Sequence, residues 1–268
     1  MAKKKTARKS AKDYVDNKFL KQHCNLRPDT PDHRDHHFAM FGMAYDGPSL
    51  PRRVDYSEET APVGDQGQTG SCVGWASVFG LRRWLHLKAT GRTFYFSVRF
   101  GWMGAKEYDP FDLNVPFDGA GTRIRDALRV MRKFGACPDS LWPFSKELPD
   151  PRKEAEIKRK ALTYRIGNYH RLPTNNARRV HLAKQGPFAI GVPVFSNWSL
   201  ISNDGIVPEP GGVQRGGHAI LVVGYDDETQ MFKFQNSWSK AWGAKGYGYM
   251  TYDWVANYSW DSWGIERL

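Results

Sequence analysis

Residues 62–78 read Pro62-Val63-Gly64-Asp65-Gln66-Gly67-Gln68-Thr69-Gly70-Ser71-Cys72-Val73-Gly74-Trp75-Ala76-Ser77-Val78. The first half of this stretch is a loop rich in glycine and glutamine. The second half begins a helix whose residues are mostly apolar (Val73, Trp75, Ala76, Val78, Phe79, Leu81), which predicts a helix buried nearly all round. Ser71 is placed to cap that helix with its hydroxyl, and Cys72 falls at the first helical position. A thiol there feels the positive end of the helix dipole, which favours the thiolate. Gln66 stands across a glycine turn from the sulfur. Folded back, its amide and the Cys72 N–H make a pair of donors for an oxyanion. A lone cysteine is more often a small buried hydrophobe than a nucleophile, so a nucleophile here requires partners elsewhere in the chain.

Two partners follow in order. Gly216-Gly217-His218-Ala219-Ile220-Leu221-Val222-Val223-Gly224-Tyr225 puts a histidine at the mouth of a strong strand, with two glycines that admit another backbone. Asn236-Ser237-Trp238 comes directly after a second strand, Phe232 to Gln235. The loop and helix start resemble the active-site segment of papain-like cysteine peptidases, a Q-G-x-x-G-S-C run. Asn236 to Tyr249 resembles that family's N-S-W-G-x-x-W-G-x-x-G-Y block. Leu50-Pro51-Arg52-Arg53-Val54-Asp55-Tyr56 resembles the family's mature start. The chain departs from the pattern where Thr69 replaces a half-cystine, Val73 an aromatic, Ser239 a glycine, and Thr122 the second glycine of a pair that precedes a later helix. His218 lies within the span of roughly 130–150 residues that separates the cysteine from its partners in papain-like enzymes, and Asn236 slightly beyond it.

The resemblance implies an α+β, two-lobed fold. Its helical lobe (about 62–163) carries the central catalytic helix, its antiparallel β-barrel-like lobe spans about 164–268, and the site lies in the cleft between them. It implies a cysteine endopeptidase in which Cys72 attacks, His218 exchanges the proton, Asn236 orients His218, Gln66 binds the oxyanion and Trp238 shields the His–Asn bond. The family places a Gly-Gly pair before a helix to bind an extended substrate, which points to Gly121 and Thr122. Gly217 and Trp238 complete the expected substrate-binding set. This chemistry needs no cofactor or metal. Two rival classes stay open: a non-hydrolytic relative, acting as a peptide-binding module or as a transamidase or ligase through the same thioester, and a nucleic-acid or surface binder built on the basic arm.

Composition bounds these choices. The 268 residues are 40% hydrophobic and 14% aromatic, enough for a substantial core. No window approaches the ~20 apolar residues of a membrane span. The net charge is +11, but more than half of the excess sits in residues 1–22, which reads as a basic arm with a short helix over Lys12–Lys21 rather than a nucleic-acid surface. That arm lacks the apolar core of a secretory signal, so a cytoplasmic location or a different export route is expected. A monomer of bacterial type is expected. The three cysteines (Cys24, Cys72, Cys137) are too few for a disulfide framework.

Residues 1–49 form the predicted arm and leader, and 50–268 the catalytic domain. Within the leader, Cys24 to Phe38 carries spaced prolines and aspartates, which favour an extended run. It resembles the pro-segments that lie along the cleft of related enzymes, which would make the leader an intramolecular inhibitor. His23, His33, His36 and His37 lack the spacing and cysteine partners of a zinc site. Phe94–Trp102 reads as strand or helix. Gly121–Met131 reads as an amphipathic helix ended by Gly135, and 149–162 as a surface helix. Strands are expected at Phe188–Val194, Ala219–Val223, Met231–Phe234 and Gly246–Tyr252.

Overall fold

A computed structural model of the chain describes residues 20, 24–33, 35, 50–108, 119–146 and 148–266. The basic arm apart from Leu20, and the expected histidines at 23, 36 and 37, lie outside these residues.

The central helix, α1, runs through three consecutive segments: Cys72–Gly74, the π-wound stretch Trp75–Arg82, and Arg83–Thr90. Gly91, at φ 68°, ends it in the left-handed conformation that glycine adopts without strain. The expectation of burial nearly all round holds for its first half, where Cys72, Val73, Ala76, Val78 and Leu81 are inaccessible. Gly80 lets α1 lie close against the sheet, since a Cβ there would come within 2.7 Å of Leu221. The eight π-wound residues were not legible in the sequence. Such windings are often found at functional sites.

The Phe94–Trp102 run resolves into a short extended entry followed by α2, Val98–Tyr108. α3, Ile124–Lys133, buries Ile124, Ala127, Leu128 and Met131 at the predicted spacing. Gly135 follows it at φ 86°. α4, Glu154–Leu162, is the surface helix, anchored by Ile157 and Ala161.

The second half is a sheet. Its strands are β1 (Arg53–Asp55), β2 (Tyr169–Arg171), β3 (Phe188–Phe195), β4 (Gln214–Asp226), β5 (Met231–Gln235), β6 (Tyr247–Thr251) and β7 (Asp261–Ile265). They pair antiparallel in the order β2-β7-β3-β4-β5-β6, with β1 also on β4. β4 is far longer than its apolar run because both ends are paired: Gly216 and Gly217 to β3, and Gly224 to β1. Two short helices complete the lobe, α5 (Asn175–Lys184) and α6 (Tyr252–Tyr258). Each is capped by a threonine, Thr174 accepting from the Ala177 N–H and Thr251 from that of Trp254.

The sheet separates two cores. Ala189, Ala219, Leu221, Val223 and Trp263 face α1 and α3. Ile190, Val192, Ile220, Val222 and Phe234 face the tryptophans Trp198, Trp238, Trp242 and Trp254. The result is a two-lobed α+β architecture in which α1 meets the sheet at β4.

Candidate active site

Cys72 opens α1 and is fully buried. Burial pushes its thiol up to about 11, partly offset by hydrogen bonds from the backbone of Ala219, Val73 and Cys72 itself. Burial therefore opposes the thiolate that the helix dipole favours. The Ala219 contact places the sulfur beside the residue that follows His218 on β4.

His218 is also fully buried. Its Nε2–H donates to Asn236 Oδ1 at 2.8 Å, and its ring stacks on Trp238 with centroids 4.4 Å apart. The hydrogen bond fixes the ring so that Nδ1 is the nitrogen left for another partner. That atom is buried and makes no protein hydrogen bond among the described residues. Burial holds the imidazole down at about 4, with the Asn236 bond acting upward. Burial thus disfavours the charged form of both groups.

Gln66 is brought to the same place. Its Nε2 donates to the Thr69 carbonyl at 2.7 Å, and its Oε1 accepts from Ser237 Oγ at 2.7 Å. The Ser237 N–H in turn donates to Asn236 Oδ1 at 2.8 Å. Ser237 therefore ties the glutamine to the asparagine, a role that an N-S-W triplet does not announce. The expected Ser71 cap is not made. Ser71 sits at φ −88°, ψ 12°, outside the extended conformation of a capping residue, and its side chain makes no cap bond. Its hydroxyl instead meets Thr69 Oγ1 at 2.6 Å.

The expected substrate-binding residues are occupied by the chain's own leader. Asn25 forms a parallel bridge with Gly217. The Gly217 N–H donates to the Cys24 carbonyl and the Leu26 N–H to the Gly217 carbonyl, both at 3.0 Å. On the other wall, the Arg27 N–H donates to the Thr122 carbonyl at 3.3 Å, and Asn25 Nδ2 donates to the Gly119 carbonyl at 2.6 Å. A Cβ at Gly121 would collide with the Asn25 carbonyl, and one at Gly216 with that of Cys24. Leu26 is buried against Gly191. Of the four expected residues only Trp238 stands apart from this path, packed under His218. Among the described residues, no group of three or more His, Cys, Asp or Glu side chains could hold a metal ion.

Residues 50–263 match the family model described as papain family cysteine protease. The chain belongs to the papain family. A peptidase C1-like protein of Acanthamoeba polyphaga mimivirus is 27% identical over 76% of this chain and 69% of its own length. Ananain of Ananas comosus is 26% identical, covering 74% of this chain, which spans only 55% of that protein. Xylellain, a cysteine protease from Xylella fastidiosa, superposes with a TM-score of 0.77 at 29% identity, covering 92% of this chain and 97% of that one. The papain-like fold extends to procathepsin L 3 of Tenebrio molitor (TM-score 0.71, 18% identity, 93% and 78% covered). As in the expected bacterial type, the cysteines are free: Cys24, Cys72 and Cys137 are all buried and unbridged.

Proposed function

We propose that the protein is a cysteine endopeptidase working through Cys72, His218 and Asn236, held latent by its own leader. The observation that carries this reading is the His218–Asn236 bond stacked on Trp238, on the strand whose Ala219 amide reaches the Cys72 sulfur. In the open enzyme, water entering the cleft lowers the cost of charge. The Cys72 proton then moves to His218 Nδ1, and the imidazolium and helix dipole stabilise the thiolate. The thiolate attacks the scissile carbonyl, and the oxyanion takes hydrogen bonds from Gln66 Nε2 and the Cys72 amide. His218 gives its proton to the departing amine, then activates water to release the acyl group. Asn236 holds the ring in register, and Trp238 excludes water from their bond. Gly121, Thr122 and Gly217 offer the backbone rails for an extended peptide.

The leader running along those rails supports autoinhibition, and matches to procathepsin structures fit the same idea. Cys24 lies over the site, where burial and the neighbouring Cys72 push its own thiol well up. The 268-residue chain, a chain starting at Leu50, and Cys72→Ala in both backgrounds separate the claims. The short chain is expected to hydrolyse a fluorogenic peptide at least about tenfold faster than the full one. Cys72→Ala is expected to lower kcat by about 10³-fold or more. Equal turnover by both lengths removes the inhibitory role, and turnover surviving in Cys72→Ala removes the mechanism. Substrate that binds the chain starting at Leu50 without being cut would favour the peptide-binding alternative.

A further inference from the structure

The loop that carries Gln66 lacks the half-cystine that papain-like enzymes place three residues before the nucleophile, and the structure shows what stands there instead. Thr69 Oγ1 donates to the Gln66 carbonyl at 2.8 Å and accepts from Ser71 Oγ at 2.6 Å. The Thr69 carbonyl accepts from Gln66 Nε2 at 2.7 Å. Ser71, wholly buried, is spent on this contact rather than on capping α1. The hydroxyls thus form a directed relay, Ser71 O–H to Thr69 and Thr69 O–H to Gln66. It runs from the residue preceding Cys72 to the residue that bears the side-chain oxyanion donor. Gly67, at φ 57°, makes the turn between.

We propose that Thr69 is a positioning residue, whose hydroxyl sets the spacing between the two oxyanion donors, the Gln66 side-chain amide and the Cys72 backbone amide, in place of a disulfide. The proposal rests on the peptidase reading and names a residue that reading does not need. The physical case is one of geometry. The Gln66 carboxamide is pinned at its oxygen by Ser237 Oγ from the β lobe and at its nitrogen by the Thr69 carbonyl. One N–H of Nε2 is then left to face the oxyanion. The Thr69 carbonyl can hold that nitrogen still only if the 66–71 turn is itself fixed, and the Thr69 hydroxyl closes the turn at both ends. Loss of an oxyanion donor costs roughly 10²–10³ in kcat. A displaced donor costs part of that, about tenfold.

The test compares Thr69→Val, which keeps the shape and loses the hydroxyl, with Thr69→Ser, which keeps the hydroxyl, in the full chain. Three quantities are measured: kcat and KM on a peptide substrate, the affinity of a peptide aldehyde, and the rate of Cys72 alkylation by iodoacetamide. The aldehyde adduct places an oxyanion between the two donors, whereas alkylation needs only the thiolate. Thr69→Val is expected to lower kcat and aldehyde affinity about tenfold with KM within about twofold. Alkylation stays unchanged, and Thr69→Ser restores both losses. A fall in alkylation parallel to that in aldehyde affinity, or no change in aldehyde affinity, overturns the proposal. Absent hydrolysis in the full chain alone is the latency proposed above, and absent hydrolysis in the chain starting at Leu50 as well defeats the peptidase reading, while the ratio of aldehyde affinity to alkylation rate still decides the role of Thr69. Should the leader exclude both probes, solvent exchange of the Gln66 side-chain amide protons decides it by NMR. Exchange about tenfold faster in Thr69→Val than in the wild type and Thr69→Ser supports the relay, and equal exchange in all three overturns it.

Discussion

Single side chains set the electrostatics of the cleft. In the proposed mechanism His218 serves Cys72 only while one ring nitrogen is held, and Asn236 Oδ1 bonds that nitrogen. Asn236→Ala is expected to cut kcat by about 10- to 100-fold with a smaller change in KM, because general acid–base catalysis supplies about 10²–10⁴. Steady-state kinetics on one peptide substrate checks this. Ser239 is a departure of the opposite sort. It stands where the family has glycine, and the structure holds it at φ 63°. Ser239→Gly should therefore raise stability by about 1 kcal/mol, the typical cost of a left-handed L-residue less the extra chain entropy of glycine. Chemical denaturation measures it. At this scale the sequence was most informative where chemistry limits residue choice: Cys72, His218, Asn236 and Gln66 were named as candidates from stretches that resemble the family's motifs. Ser237 and Thr69 could not be, because serine and threonine hydroxyls act through neighbours that only folding supplies. Ser71 was misjudged for the same reason, its local capping preference giving way to Thr69.

The leader is the element whose attachment has a measurable pH dependence. Arg125 of α3 anchors it, with Nη1 2.9 Å and 3.0 Å from the two oxygens of Asp35 and Nη2 3.0 Å from the Thr30 carbonyl. Asp32 and Asp29 lie at 3.8 Å from the same guanidinium. Asp29 also faces β7, its N–H donating to Asp261 Oδ2 at 2.8 Å and its Oδ2 accepting from Trp263 Nε1 at 2.7 Å. Asp126 faces it from α3, and Arg171 of β2 pairs with Asp261. Burial and then Asp261 push the Asp29 carboxyl up to about 7, against the pull of Arg125. Burial shifts Asp261 upward too. A carboxyl with a raised value binds its proton more tightly in the docked state. Docking is therefore strongest in acid and weakens as pH rises from the ordinary carboxylate range through about 7. Asp29→Asn, permanently neutral, should flatten that dependence. The ratio of Cys72 alkylation in wild type to that in Asp29→Asn, followed from pH 5 to 9, should rise with pH. A ratio that falls or stays level contradicts this. Among the other elements, α3 was legible from its apolar spacing. α5 and α6 were not, because α5 buries Arg178 and His181 beside Val180 and Leu182, a pattern that reads as polar surface.

The molecule as a whole is two cores divided by one sheet, and its order of helices before strands was readable in the pattern. The width of the sheet was not. β1, β2 and β7 are short, and their pairing is set by distant partners rather than local propensity. The β lobe also buries His170 and His181, with Nε2 and Nδ1 3.3 Å apart, and burial holds His170 down at about 4. A depressed histidine leaves stability intact above its ordinary value near 6.5 and withdraws it as pH falls toward 4. The thermal midpoint should drop over that interval, and drop less in His170→Phe. In the proposed mechanism the two lobes are joined by proton exchange between Cys72, on the helix, and His218, on the sheet. The most direct test is the pH dependence of Cys72 alkylation by iodoacetamide in the chain starting at Leu50, with and without His218→Ala. An ion pair predicts fast alkylation persisting below about pH 6 in the parent, and an ordinary thiol titration near 8.5 in the variant. Superimposable profiles, both following the ordinary thiol, would contradict the account.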